Sequence, residues 1–403
     1  MNHHPLNNKN IILGVTGSIA CYKAIDLASK LTQLGAKVDT ILTDSAQQFI
    51  NPISFKSITH RQVVTNLFDI DSELAVNHVA MAESADCIIV APATANTLAK
   101  ISHGMSNDPL GTTILATEAP VILAPAMDGK MFENPATQEN LAKLIQRGFF
   151  VCGPEYGRMA SGLVGLGRLS NTGDIVQVVS MILGQNSDYS QKKILITSGG
   201  TQEDIDPVRT ITNRSSGKMG FAIAEAARDR GANVTLISAP TSLNNPIGIN
   251  VEKVKSAIEM QQSIENHSID CDVLIMAAAV GDWRAKSIAK TKSKKSKDQN
   301  WEIELVKNPD ILSSMKNESF IKVGFAAETE NLVKNAKSKI TDKDLDLIIG
   351  NDVSRTDIGF NSDKNEVVII DQYGEVENLP KMSKYELAHE ILDRVQTLLN
   401  KNG

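Results

Sequence analysis

The sequence predicts an α/β protein built from two doubly wound, Rossmann-like domains. Each half of the chain begins with an apolar strand that enters a turn of small residues, at residues 11–20 and again at residues 194–201. A Gly-Ala-x-Val strand follows in each half, starting at Gly35 and at Gly231, and a third apolar strand comes after it. Because open parallel sheets bind ligands where strands lead into helix N-termini, this repeated pattern predicts two nucleotide-sized sites.

In the first half, helical patterns alternate with apolar runs that we interpret as strands. The predicted strands cover residues 11–15, 37–43, 87–91, 121–124 and 149–152. A helix over residues 21–34 ends at Gly35, and glycine is a common C-terminal stop. Residues 153–170 contain five glycines and no regular period, so we expect a functional loop there.

The second half repeats the alternation of strands and helices. Its predicted strands cover residues 193–197, 233–238, 273–278, 321–325, 345–350 and 367–371. The segment between the halves, residues 184–191, is short, polar and unpatterned, which is typical of an interdomain linker. We therefore expect one domain over residues 1–183 and a second over residues 192–403.

Composition excludes several classes of protein. The 403 residues are 42% hydrophobic, which suffices for two cores, and the net charge of -6 with 4% aromatic residues disfavours a nucleic-acid partner. Residues 1–10 are polar and no apolar stretch is long enough to span a bilayer, so we expect a cytoplasmic protein without a membrane partner. The four cysteines are scattered, which predicts neither disulfides nor a zinc site.

The turns after the first strands do not match the dinucleotide fingerprint. Neither half contains G-x-G-x-x-G, and the second strands end in Thr43 and Ser238, where an NAD site would have an acid. A hydroxyl at that position suits a phosphate or a flavin better than an adenosine ribose. Glycine-rich turns alone identify only the fold class.

A lysine-rich segment lies between the third and fourth predicted strands of the second half. Six of the residues between 286 and 297 are lysines. Such a run is usually a solvated surface. Its position after a nucleotide-type strand also suits polyphosphate, because lysine is a common phosphate ligand.

Several motifs of the second half closely resemble those of phosphopantothenate–cysteine ligases. They are found at residues 206–220, 278–282, 307–311, 324–329 and 351–353. In the first half, residues 17–23, 91–96 and 125–127 resemble the flavin-dependent phosphopantothenoylcysteine decarboxylases. The order and length of the halves are similar to the fused bacterial family of coenzyme A synthesis, over nearly the whole chain.

The ligase resemblance implies that cysteine is joined to 4′-phosphopantothenate through an acyl-cytidylate made from CTP. Lys292 matches the catalytic lysine, although Lys290 and Lys294 are close enough to take its place. Asn213 would hold the acyl-cytidylate and Arg209 would contact it. The alternative for Asn213 is a helix cap. Mg²⁺ is expected on the CTP phosphates, with few protein ligands.

The same resemblance implies a set of CTP-binding residues. Besides Lys292 these are Ala277, Ala278, Ala279, Asp282, Pro309, Asp310, Ile311, Leu312, Phe325, Lys339 and Lys343. Lys339 and Lys343 are four residues apart, so on a helix they share one face and could hold one triphosphate. Without the resemblance this pair would be interpreted as solvated surface.

The decarboxylase resemblance implies an FMN site and a catalytic histidine. The FMN phosphate would lie at Gly17, Ser18 and Ile19, with Thr43, Pro92, Ala93, Thr94 and Asn96 lining the rest. The carboxylate of the substrate is not activated for loss as CO₂. FMN would oxidise the substrate thiol, and the oxidised sulfur group would then accept the electrons that the departing CO₂ leaves behind. His78 matches the catalytic histidine; alone, a histidine in a helical pattern is more often a surface residue.

Two residues depart from the decarboxylase pattern. Asp128 stands where the family has the asparagine that binds the substrate carboxylate. An acid there repels this carboxylate unless it is protonated or paired, for instance with Lys130 or an incoming arginine. Ser161 stands where the family has a proton-donating cysteine. Cys152 lies a few residues upstream, on a predicted strand, where a buried core thiol is expected.

We therefore interpret the chain as a bifunctional enzyme of coenzyme A synthesis, with two alternatives. The flavin half could make an oxidised enethiol instead of 4′-phosphopantetheine, or it could be retained only for assembly. The resemblance also implies a homo-oligomer with trimeric decarboxylase units and dimeric ligase units, which a dodecamer would satisfy.

Overall fold

The computed structural model describes residues 4–67, 77–292, 301–316, 318–328, 330–352 and 362–402. The chain divides into two compact units, Met1–Leu183 and Gly184–Gly403. Each unit is a mixed α/β fold with a largely parallel sheet. Within the described ranges, no helix is long and apolar enough to cross a membrane.

The first unit is organised around a parallel sheet of six strands in the order β3-β2-β1-β4-β5-β6. The strands are β1 (Asn10–Val15), β2 (Lys37–Leu42), β3 (Val63–Val64), β4 (Cys87–Ala93), β5 (Val121–Pro125) and β6 (Phe150–Val151). Strand β4 is buried along its whole length. A parallel strand covered on both faces must be apolar throughout, which is why the sequence shows a continuous apolar run there.

Helices cover the sheet of the first unit. They are α1 (Cys21–Gln33), α2 (Asp44–Gln47), α3 (Pro52–Thr59), α4 (Asn77–Ser84), α5 (Ala95–Ser102), α6 (Pro109–Ala116), α7 (Gly129–Phe132), α8 (Pro135–Gln146) and α9 (Thr172–Gly184). Several begin at a side chain that accepts a backbone N–H of the first turn, as Thr94, Asp108 and Asn134 do. These caps satisfy amides that have no partner inside the helix.

The segment expected to be an irregular loop, residues 153–170, instead contains an antiparallel hairpin. Its strands are β7 (Glu155–Arg158) and β8 (Val164–Arg168). Glycines at three of its positions hide the alternation by which a strand is usually recognised, and the pairing has an irregular register between Glu155 and Tyr156.

The second unit has a sheet of eight strands in the order β13-β12-β9-β14-β17-β18-β19-β20. The strands of the unit are β9 (Lys193–Ser198), β10 (Gln202–Asp204), β11 (Thr210–Thr212), β12 (Asn233–Ser238), β13 (Asn250–Lys253), β14 (Val273–Met276), β15 (Trp283–Ala285), β16 (Leu305–Lys307), β17 (Ile321–Glu328), β18 (Leu347–Asp352), β19 (Lys364–Asp371) and β20 (Val376–Ser383). The first six strands in this order, β13-β12-β9-β14-β17-β18, are parallel to one another. Strand β19 pairs antiparallel with β18, and β20 pairs antiparallel with β19. Two small hairpins, β10–β11 and β15–β16, stand outside it.

The helices of the second unit are α10 (Lys218–Arg228), α11 (Ala257–His267), α12 (Ile311–Ser314), α13 (Leu332–Lys343) and α14 (Lys384–Asn402). One residue of the expected linker, Tyr189, belongs to this unit's core. Tyr189 is fully buried, and its hydroxyl donates to the carbonyl of Leu392 at 2.5 Å. The sequence interpretation missed this buried residue because the residues around Tyr189 are polar.

Candidate active sites

The first candidate site lies at the carboxyl edge of the first unit's sheet. There the Thr16 hydroxyl donates to the Pro92 carbonyl at 2.7 Å, and the Thr94 N–H donates to the Thr16 hydroxyl at 3.1 Å. These bonds join the ends of β1 and β4, the two strands between which the strand order reverses. Doubly wound sheets open a ligand crevice at this position.

The turn after β1 presents backbone donors to this crevice. Among the described residues, the N–H groups of Gly17, Ser18 and Ile19 have no hydrogen-bond acceptor, and α1 begins without a side-chain cap. A Cβ on Gly17 would lie 2.4 Å from the Cβ of Ser45, so the tight approach of the turn requires glycine. Unpaired amides at the positive end of a helix favour an anion such as phosphate.

The other residues expected around a flavin end strands or begin helices at the same edge. Thr43 follows β2 and caps α2, and Thr94 follows β4 and caps α5. Pro92 and Ala93 are the last residues of β4, and Asn96 lies exposed in the first turn of α5. The structure therefore brings together the residues predicted from separate motifs.

His78 is half-buried in the first turn of α4. This helix leads into β4, and a helix that connects parallel strands begins at their carboxyl edge. His78 therefore lies on the side of the sheet that carries the crevice.

Asp128 and Ser161, the two departures from the family pattern, contact one another. The Ser161 hydroxyl donates to Asp128 Oδ2 at 2.8 Å, and Asp128 Oδ1 accepts the Lys130 N–H at 3.2 Å. The acid is therefore paired with a hydroxyl and a backbone amide. The sequence interpretation had considered the Lys130 side chain as its partner.

The hairpin β7–β8 holds Ser161 in this position. The Met127 N–H donates to the Gly167 carbonyl at 2.9 Å, and the Gly129 N–H points at the Met159 sulfur, 3.2 Å away. Gly167 has φ +155°, and a Cβ there would lie 2.2 Å from the Met127 carbonyl oxygen. The hairpin is thus docked closely on the segment that carries Asp128.

An ion pair closes the base of the hairpin. Arg168 donates to Glu155 Oε2 at 2.5 Å, and the Asn171 N–H donates to Glu155 Oε1 at 2.7 Å. Burial alone would raise the pKa of Glu155, but these hydrogen bonds lower it overall. Cys152 is buried below, and its burial raises the pKa of the thiol, as expected for a core cysteine.

The second candidate site is a cavity of about 900 Å³ at the carboxyl edge of the second unit's sheet. It is lined by Asn213 and by all the expected CTP-binding residues except Lys292: Ala277, Ala278, Ala279, Asp282, Pro309, Asp310, Ile311, Leu312, Phe325, Lys339 and Lys343. Its described lining carries six basic side chains and two acidic ones. This balance suits a polyanionic ligand.

Lysines of the cavity are held by acidic partners. On one face of α13, Lys339 pairs with Glu328 at 2.6 Å and Lys343 pairs with Asp310 at 3.1 Å. The hydrogen bond from Lys339 lowers the pKa of Glu328. A phosphate that binds here therefore shares these lysines with protein carboxylates.

Asn213 does not cap a helix, which was its alternative interpretation. The N-cap of α10 is Gly217, with φ +76°. The Asn213 side chain instead donates from Nδ2 to the Val280 carbonyl at 3.0 Å, on the rim of the cavity.

Arg209 and Lys292 lie outside the cavity lining. Arg209 contacts the carboxylate of Asp206 at 3.4 Å and the ring of Trp301, whose centroid is 4.7 Å away. Lys292 is exposed at the end of a described range. Lys294, its possible substitute, lies outside the described residues.

Sequence reasoning missed several residues of the cavity. Lys218 and Asn351 belong to motifs that pointed to the ligases, and Asn351 Oδ1 is buried without a hydrogen-bond partner among the described residues. Asn365 and Lys384 come from β19 and the start of α14. No motif marks these two, because antiparallel pairing brings them to the cavity from a distant part of the chain.

Two family models match the two units. The flavoprotein family matches residues 1–184, and the DNA/pantothenate metabolism flavoprotein C-terminal domain matches residues 189–399. With the crevice in the first unit and the basic cavity in the second, these matches define a flavoprotein of pantothenate metabolism.

The full-length relatives are more specific. The chain is 44% identical over 399 residues to the coenzyme A biosynthesis bifunctional protein CoaBC of Vibrio vulnificus, covering 98% of this chain and 99% of that protein. It is 42% identical over 397 residues to the CoaBC protein of Escherichia coli, covering 97% and 98%. The chain belongs to the CoaBC family.

Solved structures also resemble parts of the chain. The C-terminal domain of a CoaBC protein is 39% identical and covers 53% of this chain and 100% of that chain, with a TM-score of 0.46. A PPC decarboxylase mutant complexed with pantothenoylaminoethenethiol is 28% identical and covers 43% and 97%, with a TM-score of 0.39.

Proposed function

We infer that this chain converts 4′-phosphopantothenate to 4′-phosphopantetheine in two steps. The first step ligates cysteine with CTP, and the second decarboxylates phosphopantothenoylcysteine with FMN. The observation that carries this inference is the match to CoaBC proteins, which extends over 98% of the chain and 99% of the relative. Each unit adds a sheet edge suited to the phosphorylated ligand that its step requires.

We assign the decarboxylase to residues 1–183, as a flavodoxin-like domain, and the ligase to the second unit. Without the two-residue β3, the strand order of the first unit is β2-β1-β4-β5-β6, the flavodoxin order. FMN carries one phosphate. The amides of Gly17, Ser18 and Ile19, which have no acceptor within the part of the chain that the structure describes, fit it. Thr43, Thr94 and Asn96 would line the remainder.

Bound FMN supplies a reversible two-electron oxidation of the substrate thiol. The chain's own residues bind and orient the substrate and move protons. His78, at the same edge, would handle the thiol or the carboxylate of the substrate. Asp128 and Ser161 lie where the family binds the substrate carboxylate and returns a proton.

The Asp128–Ser161 pair favours a second outcome for this half. A serine hydroxyl is a much weaker acid than a thiol, and here it already donates to a carboxylate. Return of the last proton is therefore slow, and part of the oxidised enethiol leaves before it is reduced. Release of the oxidised enethiol is therefore the alternative function of this half, and the contact between Ser161 and Asp128 supports it.

In the ligase, CTP occupies the basic cavity. Lys339 and Lys343 neutralise its phosphates, and the Asn213 amide holds the acyl-cytidylate at the rim. Lys292 stabilises the charge that develops on departing pyrophosphate, and Arg209 assists with the intermediate. Cysteine then displaces CMP through its amine.

Mg²⁺ accompanies CTP on its phosphates. Among the described residues no group of three His, Cys, Asp or Glu side chains could hold a metal ion, and Mg²⁺ commonly binds through nucleotide phosphates and water. Because CTP and cysteine are cytoplasmic metabolites, we place the enzyme in the cytoplasm. We propose the family's assembly of trimeric decarboxylase and dimeric ligase units, as in a dodecamer.

The test is a reconstitution with the purified full-length protein. With 4′-phosphopantothenate, cysteine, CTP and MgCl₂, CMP release should depend on cysteine, and a yellow protein-bound flavin should be released as FMN on denaturation. Release of CMP without any decarboxylated product would show that the protein has the ligase activity but not the decarboxylase activity. A flavin-free protein would contradict the assignment of the first unit.

A further inference from the structure

One face of helix α1 contacts the segment that follows the hairpin β7–β8. The Lys23 ammonium donates to the Leu169 carbonyl at 3.1 Å, and Leu169 is the first residue after β8. Two helical turns further along, Lys30 pairs with Asp26 at 2.7 Å, and both contact the Thr172 hydroxyl. Side chains three or four positions apart share a face of a helix, so one face of α1 holds the chain as it leaves the hairpin.

The Lys23 contact belongs to a cluster of charges at the base of the hairpin. Leu169 directly follows Arg168, which forms the ion pair with Glu155. Burial and, next, the Arg168 guanidinium lower the pKa of Lys23, whereas the Glu155 carboxylate opposes this shift. Lys23 therefore lies close to both members of the ion pair. Its own hydrogen bond goes to the backbone, and a charged donor makes such a bond stronger than a neutral one.

The same turn of α1 adjoins the crevice of the first unit. Lys23 is the third residue of α1, and residues 17–19, whose amides have no acceptor within the described ranges, come just before this helix. The tip of the hairpin carries Ser161, whose hydroxyl donates to Asp128. The hydrogen bond of Lys23 therefore joins the turn that we assign to the flavin phosphate to the hairpin that carries the proton donor.

We propose that Lys23 is a positioning residue of the decarboxylase, which holds the base of the hairpin β7–β8 against helix α1 and so keeps Ser161 at Asp128. The proposal rests on the proposed function of the first unit. Without this bond the hairpin leaves its docked position more often. The step that returns the last proton should then slow, whereas oxidation of the substrate thiol, which depends on the flavin, should keep its rate.

The test compares Lys23→Met, which keeps the length of the side chain, with Lys23→Arg, which keeps a charged donor, in the full-length protein with its flavin. Hydrogen–deuterium exchange of the peptide covering residues 155–168 reports the docking of the hairpin without turnover. We expect Lys23→Met to speed this exchange roughly three- to tenfold, the effect of one partly exposed hydrogen bond from a charged group. Lys23→Arg should restore most of the protection.

The second measurement follows the products. With phosphopantothenoylcysteine as substrate, Lys23→Met should lower the ratio of 4′-phosphopantetheine to oxidised enethiol by a similar factor, and Lys23→Arg should recover most of it. A residue that only stabilised the fold would not change this ratio.

Lys9→Met is the matched control, because Lys9 is also a partly exposed lysine of the first unit and pairs with Asp86 at 3.0 Å, just before strands β1 and β4. It should lower the melting temperature about as much as Lys23→Met and leave the exchange of the hairpin at the native rate.

The proposal is overturned if Lys23→Met keeps the native exchange of residues 155–168, or if Lys9→Met speeds that exchange equally. Weaker flavin binding with native exchange would also overturn it, because Lys23 would then act on the flavin phosphate and not on the hairpin. A native protein that forms no decarboxylated product would instead refute the decarboxylase function itself.

Discussion

The contact between Ser161 and Asp128 predicts that Ser161→Cys increases 4′-phosphopantetheine relative to the oxidised enethiol. In the native protein, loss of the Ser161 proton would leave an alkoxide next to the Asp128 carboxylate, whose oxygen is 2.8 Å away. Two unit charges at that distance repel by about 6 kcal/mol at an effective dielectric constant of 20, and by less where solvent screens them. This repulsion adds to the weak acidity of the hydroxyl itself.

The size of the expected gain follows from acid strength. An unperturbed thiol has a pKa of about 8.5, whereas the pKa of bulk water, the closest simple analogue of a hydroxyl, is far higher. A positioned general acid typically contributes about 10²- to 10⁴-fold. We expect Ser161→Cys to raise the ratio of reduced to oxidised product at least about tenfold, because the remaining Asp128 charge still opposes full activity.

The assay is mass spectrometry of the products formed from phosphopantothenoylcysteine, with CMP release in a parallel ligase assay as the control. The double variant Asp128→Asn, Ser161→Cys should exceed the single variant, since it also removes the repulsion of the substrate carboxylate. The reasoning is refuted if the native enzyme makes only 4′-phosphopantetheine and neither Ser161→Cys nor Cys152→Ala alters its rate. The proton would then come from Asp128, His78 or water.

Three further predictions concern charged residues. Lys292→Gln should abolish pyrophosphate release while FMN stays bound. Near-normal pyrophosphate release would show that a neighbouring lysine, and not Lys292, is the catalytic lysine. Glu328→Gln frees Lys339 for the triphosphate, so the KM for CTP should fall roughly two- to five-fold, as expected for loss of one partly exposed ion pair; a rise in KM would mean that Glu328 orients the lysine. Because the pKa of Glu155 lies below its ordinary value of 4.5, its pair with Arg168 stabilises the fold above pH 4.5 and is lost as pH falls through the lowered pKa. The melting temperature of Glu155→Gln should therefore lie below the native value at pH 7 and approach it below pH 4.5, and a pH-independent difference would contradict this.

The parts of the fold that sequence predicts best are the buried parallel strands. Strand β12 (Asn233–Ser238) is observed with the predicted bounds, and β4 extends only two residues beyond its prediction. Strand β4 is buried along its whole length and β12 over most of it, and buried parallel strands are rich in apolar residues. The hairpin β7–β8 escaped prediction because exposed, glycine-rich strands carry no such signal.

Local motifs in the sequence predict part of the cavity lining, and the rest reaches the cavity only through tertiary structure. The cavity residues 277–279 and 309–312 belong to continuous motifs. Lys384 reaches the same cavity only through the antiparallel strands that precede it. The contact of Ser161 with Asp128 joins residues 33 positions apart, and it depends on the docking of Gly167 against Met127, which no pattern in the sequence reveals.

The most direct test of the two-step account follows one carbon atom through both units. The native protein is incubated with 4′-phosphopantothenate, CTP, MgCl₂ and cysteine labelled with ¹³C in its carboxyl group. We predict that each CMP released is followed by loss of the label as ¹³CO₂, and that the organic product is unlabelled. Accumulation of labelled phosphopantothenoylcysteine with no ¹³CO₂ would contradict the account, because the first unit would then have no decarboxylase activity.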